Sequence, residues 1–389
     1  MRMLFTSSPG VGHLLPVLPV AVAARHAGHD VVVGVGASLA PMVARADLHH
    51  VALGPADLDG VRAKIPGIGD LAGPERTALM VREGFGRLIA GSIADDVLAL
   101  FREWRADILV HEDLELGGWI AAERLGVPHV TIQATAWRPA KRAAVSANLD
   151  EIRIRVGLAP DTALARRDGK LWFTTRPPSL RDPAQPMPAV LRELRPEPDD
   201  RVGGELADLP DWLARPPLRR RVAVTLGTVN AHRVDLVRPI VDGLADLDVE
   251  VVVALGADPA SLGAVPDAVR VERYVPMSQL LPRSTVVVHH AGSGTTLAAL
   301  LAGRPAALVP IMGDQPDNTD RCVAAGAAIA LDSSALTAEA VRAAVFRLLE
   351  EPRFADRAAA IAAEIRAMPN AAAALAEIED VASGPATQS

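Results

Sequence analysis

The chain has 389 residues, half of them hydrophobic, and a formal net charge of −7 at pH 7. This length predicts two domains, each large enough to bury its own core. Aromatic residues make up only 3% of the sequence and no basic stripe is visible, so nucleic acid and anionic membranes are excluded as expected partners.

Cysteine usage and hydropathy indicate the compartment. The single cysteine, Cys322, cannot form an intrachain disulfide, which fits a reducing environment. Charged residues, glycine or proline interrupt every apolar stretch well before the roughly 20 residues that a membrane span needs. No signal-like segment precedes the first turn. We therefore expect a soluble, cytoplasmic protein.

The N-terminal residues predict a strand–helix–strand unit, with strands over residues 1–6 and 30–36 and a helix over residues 14–27. Such a unit builds a parallel sheet with right-handed crossovers. Gly10 and Gly12 resemble the start of a dinucleotide fingerprint, but Leu15 occupies the position of its third glycine. No acidic residue follows the second strand either, which argues against an NAD site.

His13 follows the first strand closely. Loops after parallel strands collect at one edge of the sheet, where ligands bind. Taken alone, a histidine at this point is better explained as a helix N-terminal residue that hydrogen-bonds to the backbone. The residues themselves therefore leave its function open.

The next segment holds three features. The triplet Asp57-Leu58-Asp59 lies in a polar loop before a glycine, which predicts a solvated turn instead of a metal-binding D-x-D motif.

A helical pattern follows over residues 85–101. A strand over residues 107–111 then ends at Glu112 and Asp113, and a helix to residue 125 and a strand over residues 129–133 complete the first half. Two adjacent acids could simply cap that helix.

Residues 134–216 are rich in proline and arginine and predict helical pieces, irregular loops and an interdomain linker. A second set of strands then begins with residues 221–226 and 250–255. Tyr274 and Val275 precede a short helix that ends near Pro282.

The most informative stretch covers residues 285–318. A buried strand over residues 286–288 leads to His290 and a glycine-bearing turn, and we predict a helix from Thr296 to Ala302. Because the N-terminal N–H groups of a helix have no partners within it, this turn predicts an anion site. A second strand over residues 306–309 leads to a polar loop with Asp314 and Gln315, and a helix is expected after Asn318. A P-loop is excluded because no lysine follows the glycines.

These residues resemble a known family. The patterns H-x-G-x-G-T-T from His290, G-x-P from Gly303, and P-x-x-x-D-Q-x-x-N ending at Asn318 are similar to the donor-binding signature of GT-B nucleotide-sugar glycosyltransferases. The likeness is strongest to the actinobacterial enzymes that glycosylate antibiotics and other natural products. It spans nearly the whole chain, including the N-terminal G-x-G-H.

The resemblance implies an α/β fold of two facing Rossmann-like domains with parallel sheets and a cleft between them. The expected parts are an acceptor-binding domain over residues 1–200, a linker over 201–220, a nucleotide-sugar-binding domain over 221–368, and a C-terminal helix over 369–389 that crosses back onto the first domain.

The resemblance also implies site residues. His13 would be the general base, supported by Glu112, where the family often has aspartate; the neighbouring Asp113 is the alternative support. The acceptor would contact Gly12, Phe85 and Trp137. The donor-binding residues would be Thr228, Tyr274, Val275, His290, Gly292, Ser293, Gly294, Thr295, Asp314 and Gln315.

The implied reaction is inverting and needs neither a metal ion nor a cofactor. A deoxysugar on thymidine diphosphate (TDP) is the expected donor, with a UDP-sugar as the competitor, and an apolar natural product such as a polyketide is the expected acceptor. A homodimer is compatible with this reading. Two alternatives stay open: a GT-B sugar-nucleotide epimerase, and a catalytically silent partner of another transferase.

Overall fold

The computed structural model describes residues 1–135, 139–185, 187–197, 210–227 and 233–384. Within them, the strands form two sheets in which all neighbouring strands run parallel. The first sheet contains β1 (Arg2–Thr6), β2 (Asp30–Val35), β3 (His49–Ala52), β4 (Ile108–Glu112), β5 (His129–Gln133), β6 (Leu171–Thr174) and β7 (Leu191–Glu193). The second contains β8 (Arg220–Thr225), β9 (Val249–Ala254), β10 (Val269–Glu272), β11 (Val286–His289), β12 (Ala306–Leu308) and β13 (Ala328–Ala330).

Helices cover both faces of each sheet. They are α1 (Val11–Leu14), α2 (Leu18–His26), α3 (Ala40–Arg45), α4 (Leu58–Ala63), α5 (Gly73–Leu79), α6 (Ala90–Leu100), α7 (Leu116–Leu125), α8 (Pro139–Arg155), α9 (Asp211–Ala214), α10 (Val234–Leu244), α11 (Met277–Leu280), α12 (Ser293–Leu301), α13 (Gln315–Ala324), α14 (Ala338–Glu350), α15 (Pro352–Ala367) and α16 (Ala371–Ser383). A π-helical segment, Met80–Ile89, joins α5 to α6. No helix in the described part of the chain has the length and apolar character to cross a membrane.

The strand order reverses direction once in each sheet. The first sheet has the order β3-β2-β1-β4-β5-β6-β7, and the second has the order β10-β9-β8-β11-β12-β13. In each case the first strand of the sheet therefore lies beside a strand that follows much later in the chain. Ligands of open parallel sheets bind at such reversal points, outside the carboxyl ends of the strands. The fold thus predicts one ligand-binding edge on each sheet.

Two parallel α/β sheets confirm the predicted fold class, but several element boundaries were wrong. The predicted helix over residues 14–27 is two helices, α1 and α2. Pro16 lies in the break between them. It interrupts the helix because proline has no N–H to donate to the carbonyl four residues earlier. The helix predicted from residue 85 belongs to a longer helical segment that begins at Gly73.

The proline-rich stretch after residue 134 is more regular than its composition indicates. It contributes α8 and two strands, β6 and β7, to the first sheet. The polar triplet at residues 57–59 is also not a free turn. Asp57 caps α4 by accepting a hydrogen bond from the Gly60 N–H at 2.6 Å.

The last helix lies apart from the elements that precede it. Buried residues of α15, including Ile361 and Ile365, pack in the core of the second sheet. Leu375 and Ile378 of α16 belong instead to the core of the first sheet, where α16 packs against α2 and β6. The chain therefore returns to the first domain between α15 and α16.

Candidate active site

Glu112 and His13 meet at the reversal point of the first sheet. Thr6 at the end of β1 is in register with His111 of β4. This pairing brings the loop after β1 next to the end of β4. Nδ1 of His13 lies 3.0 Å from Oε1 of Glu112. Within the described residues the ring of His13 makes no other hydrogen bond. Its Nε2 is therefore available to a substrate.

The two side chains shift each other's pKa values in opposite directions. Burial would lower the pKa of His13, but attraction to Glu112 and their hydrogen bond outweigh it and raise that pKa above 6.5. Burial would raise the pKa of Glu112, but His13 and hydrogen bonds from the Leu114 and Ser8 N–H groups lower it. Glu112 is therefore ionised, and it stabilises the imidazolium form of His13.

Asp113 has a different position. Its side chain accepts hydrogen bonds from the backbone of Ala134 at 2.7 Å and from the hydroxyl of Thr135 at 3.1 Å. Burial and the neighbouring Glu112 raise its pKa to about 6. Of the two adjacent acids, Glu112 contacts His13, whereas Asp113 stabilises the loop after β5 through its hydrogen bonds.

The second sheet offers an anion site at its own reversal point. Helix α12 begins at Ser293, three residues earlier than predicted, and Gly292 is its N-cap. The first backbone hydrogen bond of the helix runs from the Thr296 N–H to the Gly292 carbonyl at 2.9 Å. The three preceding N–H groups, of residues 293–295, point out of the helix end. Together with the helix dipole they favour a bound anion.

The turn before this helix has an unusual backbone. Ala291 has a φ of +62°, a conformation that residues with a side chain rarely adopt. Its N–H donates to Nδ1 of His289 at 3.1 Å, and its carbonyl accepts from Nδ2 of Asn318 at 2.8 Å. These two buried contacts hold the turn in a strained form, as is common at ligand-binding sites.

The ring of His290 lies between two glycines. A Cβ atom on Gly227 would approach Cε1 of the ring to 2.6 Å, and a Cβ atom on Gly292 would approach Nε2 to 2.4 Å. Burial lowers the pKa of His290 to about 4, although Asp314 opposes this shift. At neutral pH the ring is therefore uncharged and carries a single N–H donor.

Asp314 and Gln315 do not lie in a free polar loop. Gln315 is the first residue of α13, which begins before Asn318 and not after it. Its Oε1 accepts from the N–H groups of Ile311 and Met312 at 2.7 and 3.0 Å. Oδ2 of Asp314 accepts from the Ser293 hydroxyl at 2.6 Å and from Nδ2 of Asn318 at 3.0 Å. Side-chain contacts that the local pattern cannot predict thus orient both residues.

One cavity of about 430 Å³ lies between the two sheet edges, within the size range of small-molecule sites. Two of the predicted site residues, Thr228 and Trp137, lie outside the described residues. Glu112 lies behind His13. All the other predicted site residues line the cavity: Gly12, His13, Phe85, Tyr274, Val275, His290, Gly292, Ser293, Gly294, Thr295, Asp314 and Gln315.

The two ends of the cavity differ in chemistry. The end on the first sheet is mainly apolar, with Leu15, Leu58, Met80 and Phe85 in its wall. The ring of Phe85 lies 5.2 Å from that of His13. The end on the second sheet holds the start of α12. At its rim lies Tyr274, which is 68% exposed and offers an accessible flat surface.

Asn318 also belongs to this site, although it was not among the predicted site residues. The signal was present in the motif, because Asn318 follows Asp314 by four residues and so lies one helical turn away. The spacing does not predict the hydrogen bonds of Asn318 to Asp314, Ser293 and Ala291, which follow from the fold.

Comparisons with known proteins show which family and fold this chain resembles. Residues 238–381 match the family described as Erythromycin biosynthesis protein CIII-like, C-terminal domain. The chain is 36% identical to an L-demethylnoviosyl transferase of Streptomyces niveus over 85% of each chain. It is 30% identical to an aclacinomycin-T 2-deoxy-L-fucose transferase of Streptomyces galilaeus, over 95% of this chain and 93% of that one.

A solved structure extends the likeness to the whole fold. The glycosyltransferase SsfS6 of Streptomyces sp. SF2575, complexed with thymidine diphosphate, is 27% identical with a TM-score of 0.80. The similarity covers 98% of this chain and 99% of that one.

Proposed function

This chain belongs to the family of actinobacterial natural-product glycosyltransferases with the GT-B fold, and we propose that it transfers a deoxysugar from a TDP donor to a hydroxyl group of an apolar natural product. The observation that carries the proposal is the arrangement of the cavity. A histidine–carboxylate pair faces it from the first sheet, and the open start of α12 faces it from the second. A base and an anion site on opposite sides of one cavity are the two parts that glycosyl transfer from a nucleotide requires.

The first step of the proposed reaction concerns His13. Its Nε2 takes the proton of the acceptor hydroxyl while the acceptor oxygen attacks the anomeric carbon of the sugar. The bond between that carbon and the diphosphate oxygen breaks on the opposite side, so the configuration inverts. The new positive charge on His13 is stabilised by Glu112 at 3.0 Å, as in other base–carboxylate pairs.

The second part of the mechanism concerns the leaving group. The electron pair of the broken bond stays on the diphosphate. Its negative charge is stabilised by the N–H groups of residues 293–295, by the dipole of α12 and by a hydrogen bond from His290. Each helix-dipole contribution is worth about 0.3–1 kcal/mol at an exposed site and up to ~2 when partly buried. Several donors must therefore act together.

Donor and acceptor selection follow from the two ends of the cavity. We propose that Tyr274 stacks on the nucleobase and that Asp314 and Gln315 bind sugar hydroxyls. The thymidine diphosphate bound by SsfS6 and the deoxysugar named for the Streptomyces galilaeus relative support a TDP-deoxysugar donor. The apolar wall around Phe85 supports an acceptor such as a polyketide. A sugar-nucleotide epimerase would have no use for that apolar wall.

A nucleotide screen tests the proposal. We expect TDP to raise the melting temperature most, UDP less, and GDP and NAD little, because only a ligand that binds the folded state stabilises it. At 100 times its Kd a ligand adds about 2.7 kcal/mol, which corresponds to a shift of roughly 3 °C for a chain of this length that unfolds as one unit. Differential scanning fluorimetry with each nucleotide measures this.

Transfer itself is measured by mass spectrometry with a TDP-deoxysugar and a panel of hydroxyl-bearing polyketides, and a sample without acceptor serves as the control. We expect a glycosylated product that forms only when acceptor is present. Stabilisation by NAD alone, or turnover of the sugar nucleotide without any acceptor, would contradict the proposed function.

A further inference from the structure

Asn318 connects the donor site to the other domain. Its side chain is buried, with 4% of its surface exposed. Nδ2 donates to the Ala291 carbonyl at 2.8 Å, to Oδ2 of Asp314 at 3.0 Å and to the Ser293 hydroxyl at 3.2 Å. Oδ1 accepts from Nη2 of Arg176. One amide therefore links the strained turn, the start of α12 and Asp314 to a residue 142 positions earlier.

Arg176 comes from the first domain and is held firmly there. It lies two residues after β6. Its N–H donates to the hydroxyl of Thr174 at 3.1 Å, and its carbonyl accepts from Nε of Arg181 at 3.2 Å. Its side chain is 12% exposed, and Nη1 pairs with Oδ2 of Asp317 at 3.2 Å. The guanidinium thus spans the boundary between the two domains.

The guanidinium and the acceptors on the opposite side together fix which way the amide of Asn318 points. Arginine carries only donors, whereas an asparagine amide has an acceptor on one side and donors on the other. Oδ1 must therefore face Arg176, and Nδ2 must face Asp314 and the Ala291 carbonyl. If the amide turned over, its oxygen would meet a carboxylate and a carbonyl, which repel it. Without Arg176 the amide oxygen loses its donor, and only the acceptors around Nδ2 remain to hold the amide in place.

We propose that Arg176 is a positioning residue that orients Asp314 for the donor sugar through Asn318. Oδ2 of Asp314 is occupied by Ser293 and Asn318, whereas Oδ1 makes no hydrogen bond within the described residues and is available to a sugar hydroxyl. Because Arg176 belongs to the first domain, the sugar site is complete only when the two domains are docked. This inference rests on the proposed function, which assigns Asp314 to the sugar.

The test compares two ligands on the full chain, TDP and TDP-glucose, by isothermal titration calorimetry. In the variant Arg176→Met we expect the Kd for TDP-glucose to rise about tenfold, in the range expected when a charge-assisted hydrogen bond is lost. The Kd for TDP should change by less than about twofold, since the proposed diphosphate donors are backbone N–H groups of α12 and not the Asp314 carboxylate that Asn318 orients. Arg176→Lys keeps the charge but loses the fork geometry, so it should recover part of the lost affinity.

Ser179→Ala is the matched control. Ser179 also joins the two domains, since its hydroxyl donates to Oε1 of Glu364 at 2.5 Å, and within the described residues it makes no hydrogen bond to Asn318. We expect this variant to keep the wild-type ratio of the two Kd values. If Ser179→Ala changes the ratio as much as Arg176→Met does, or if Arg176→Met weakens both ligands equally, Arg176 serves only domain docking and the proposal is overturned.

The same titrations separate this inference from the proposed function. Wild-type protein that binds neither ligand contradicts the proposed function, and this inference with it. Wild-type protein that binds both ligands, together with an unchanged ratio in Arg176→Met, overturns the role of Arg176 alone. A melting curve of each variant shows whether it is folded, and retained TDP binding confirms that its donor domain is intact.

Discussion

Replacing His13 with alanine should lower kcat by roughly 10²–10⁴-fold, the usual contribution of a positioned general base. The hydrogen bond to Glu112 at 3.0 Å and the raised pKa suit His13 to act as the base. The affinity for TDP should not change, because His13 belongs to the first domain and the anion site to the second. Initial rates with saturating donor and acceptor, together with calorimetric Kd values for TDP, measure both effects.

The exposed His49 provides the control, since it lies on β3 at the far edge of the sheet. His49→Ala should keep the wild-type rate. Wild-type turnover in His13→Ala would remove His13 from the mechanism. A loss of TDP binding in the same variant would show that its effect is structural.

The pH profile of this same pair supplies a second readout. His13 acts as a base only when neutral, and its raised pKa places the acidic limb of the kcat profile above pH 6.5. Glu112→Gln removes the charge that holds this pKa up. The limb should therefore move to lower pH while the maximal rate falls. An unshifted limb would mean that the titrating group is not His13.

Replacing Gly292 with alanine should weaken TDP binding by roughly 10–100-fold, the loss expected for a hydrogen bond to a charged group. Gly292 has φ −62° and ψ 143°, which alanine adopts without strain. Its new Cβ atom, however, would lie 2.4 Å from Nε2 of His290. The ring must move, and the anion site loses its side-chain donor.

A double-mutant cycle isolates this cause. His290→Ala alone should weaken TDP binding by a similar factor. Adding Gly292→Ala to it should then have little further effect, because the ring that the methyl group meets is gone. Additive losses in calorimetric Kd values would show that Gly292 acts through the backbone or the ligand and not through His290.

Local sequence patterns predict the strands and turns that carry the site. They do not predict the side-chain contacts that orient its residues. The buried run before His290 and the glycine turn after it predict an anion site without any knowledge of the sheet. The boundary of α12 was missed because Ser293 and Gly294 are typical turn residues as well as helix N-terminal residues. Pro16 divides the first helix for a reason that the sequence does contain.

Other features depend on the order of the strands. His13 and Glu112 lie 99 residues apart, and they meet because β4 inserts beside β1 in the first sheet. The link from Arg176 to Asn318 requires the two domains to be docked. No short-range pattern contains either fact, because each depends on which distant segments become neighbours. The family resemblance supplied the first pairing and did not supply the second.

The most direct measurement is the position of the diphosphate in a crystal structure of the protein with TDP. We predict phosphate oxygens at about 2.7–3.2 Å from N–H groups of residues 293–295, with His290 as a further donor and the base against Tyr274. A nucleotide bound elsewhere, with side chains filling the start of α12, would contradict the mechanism.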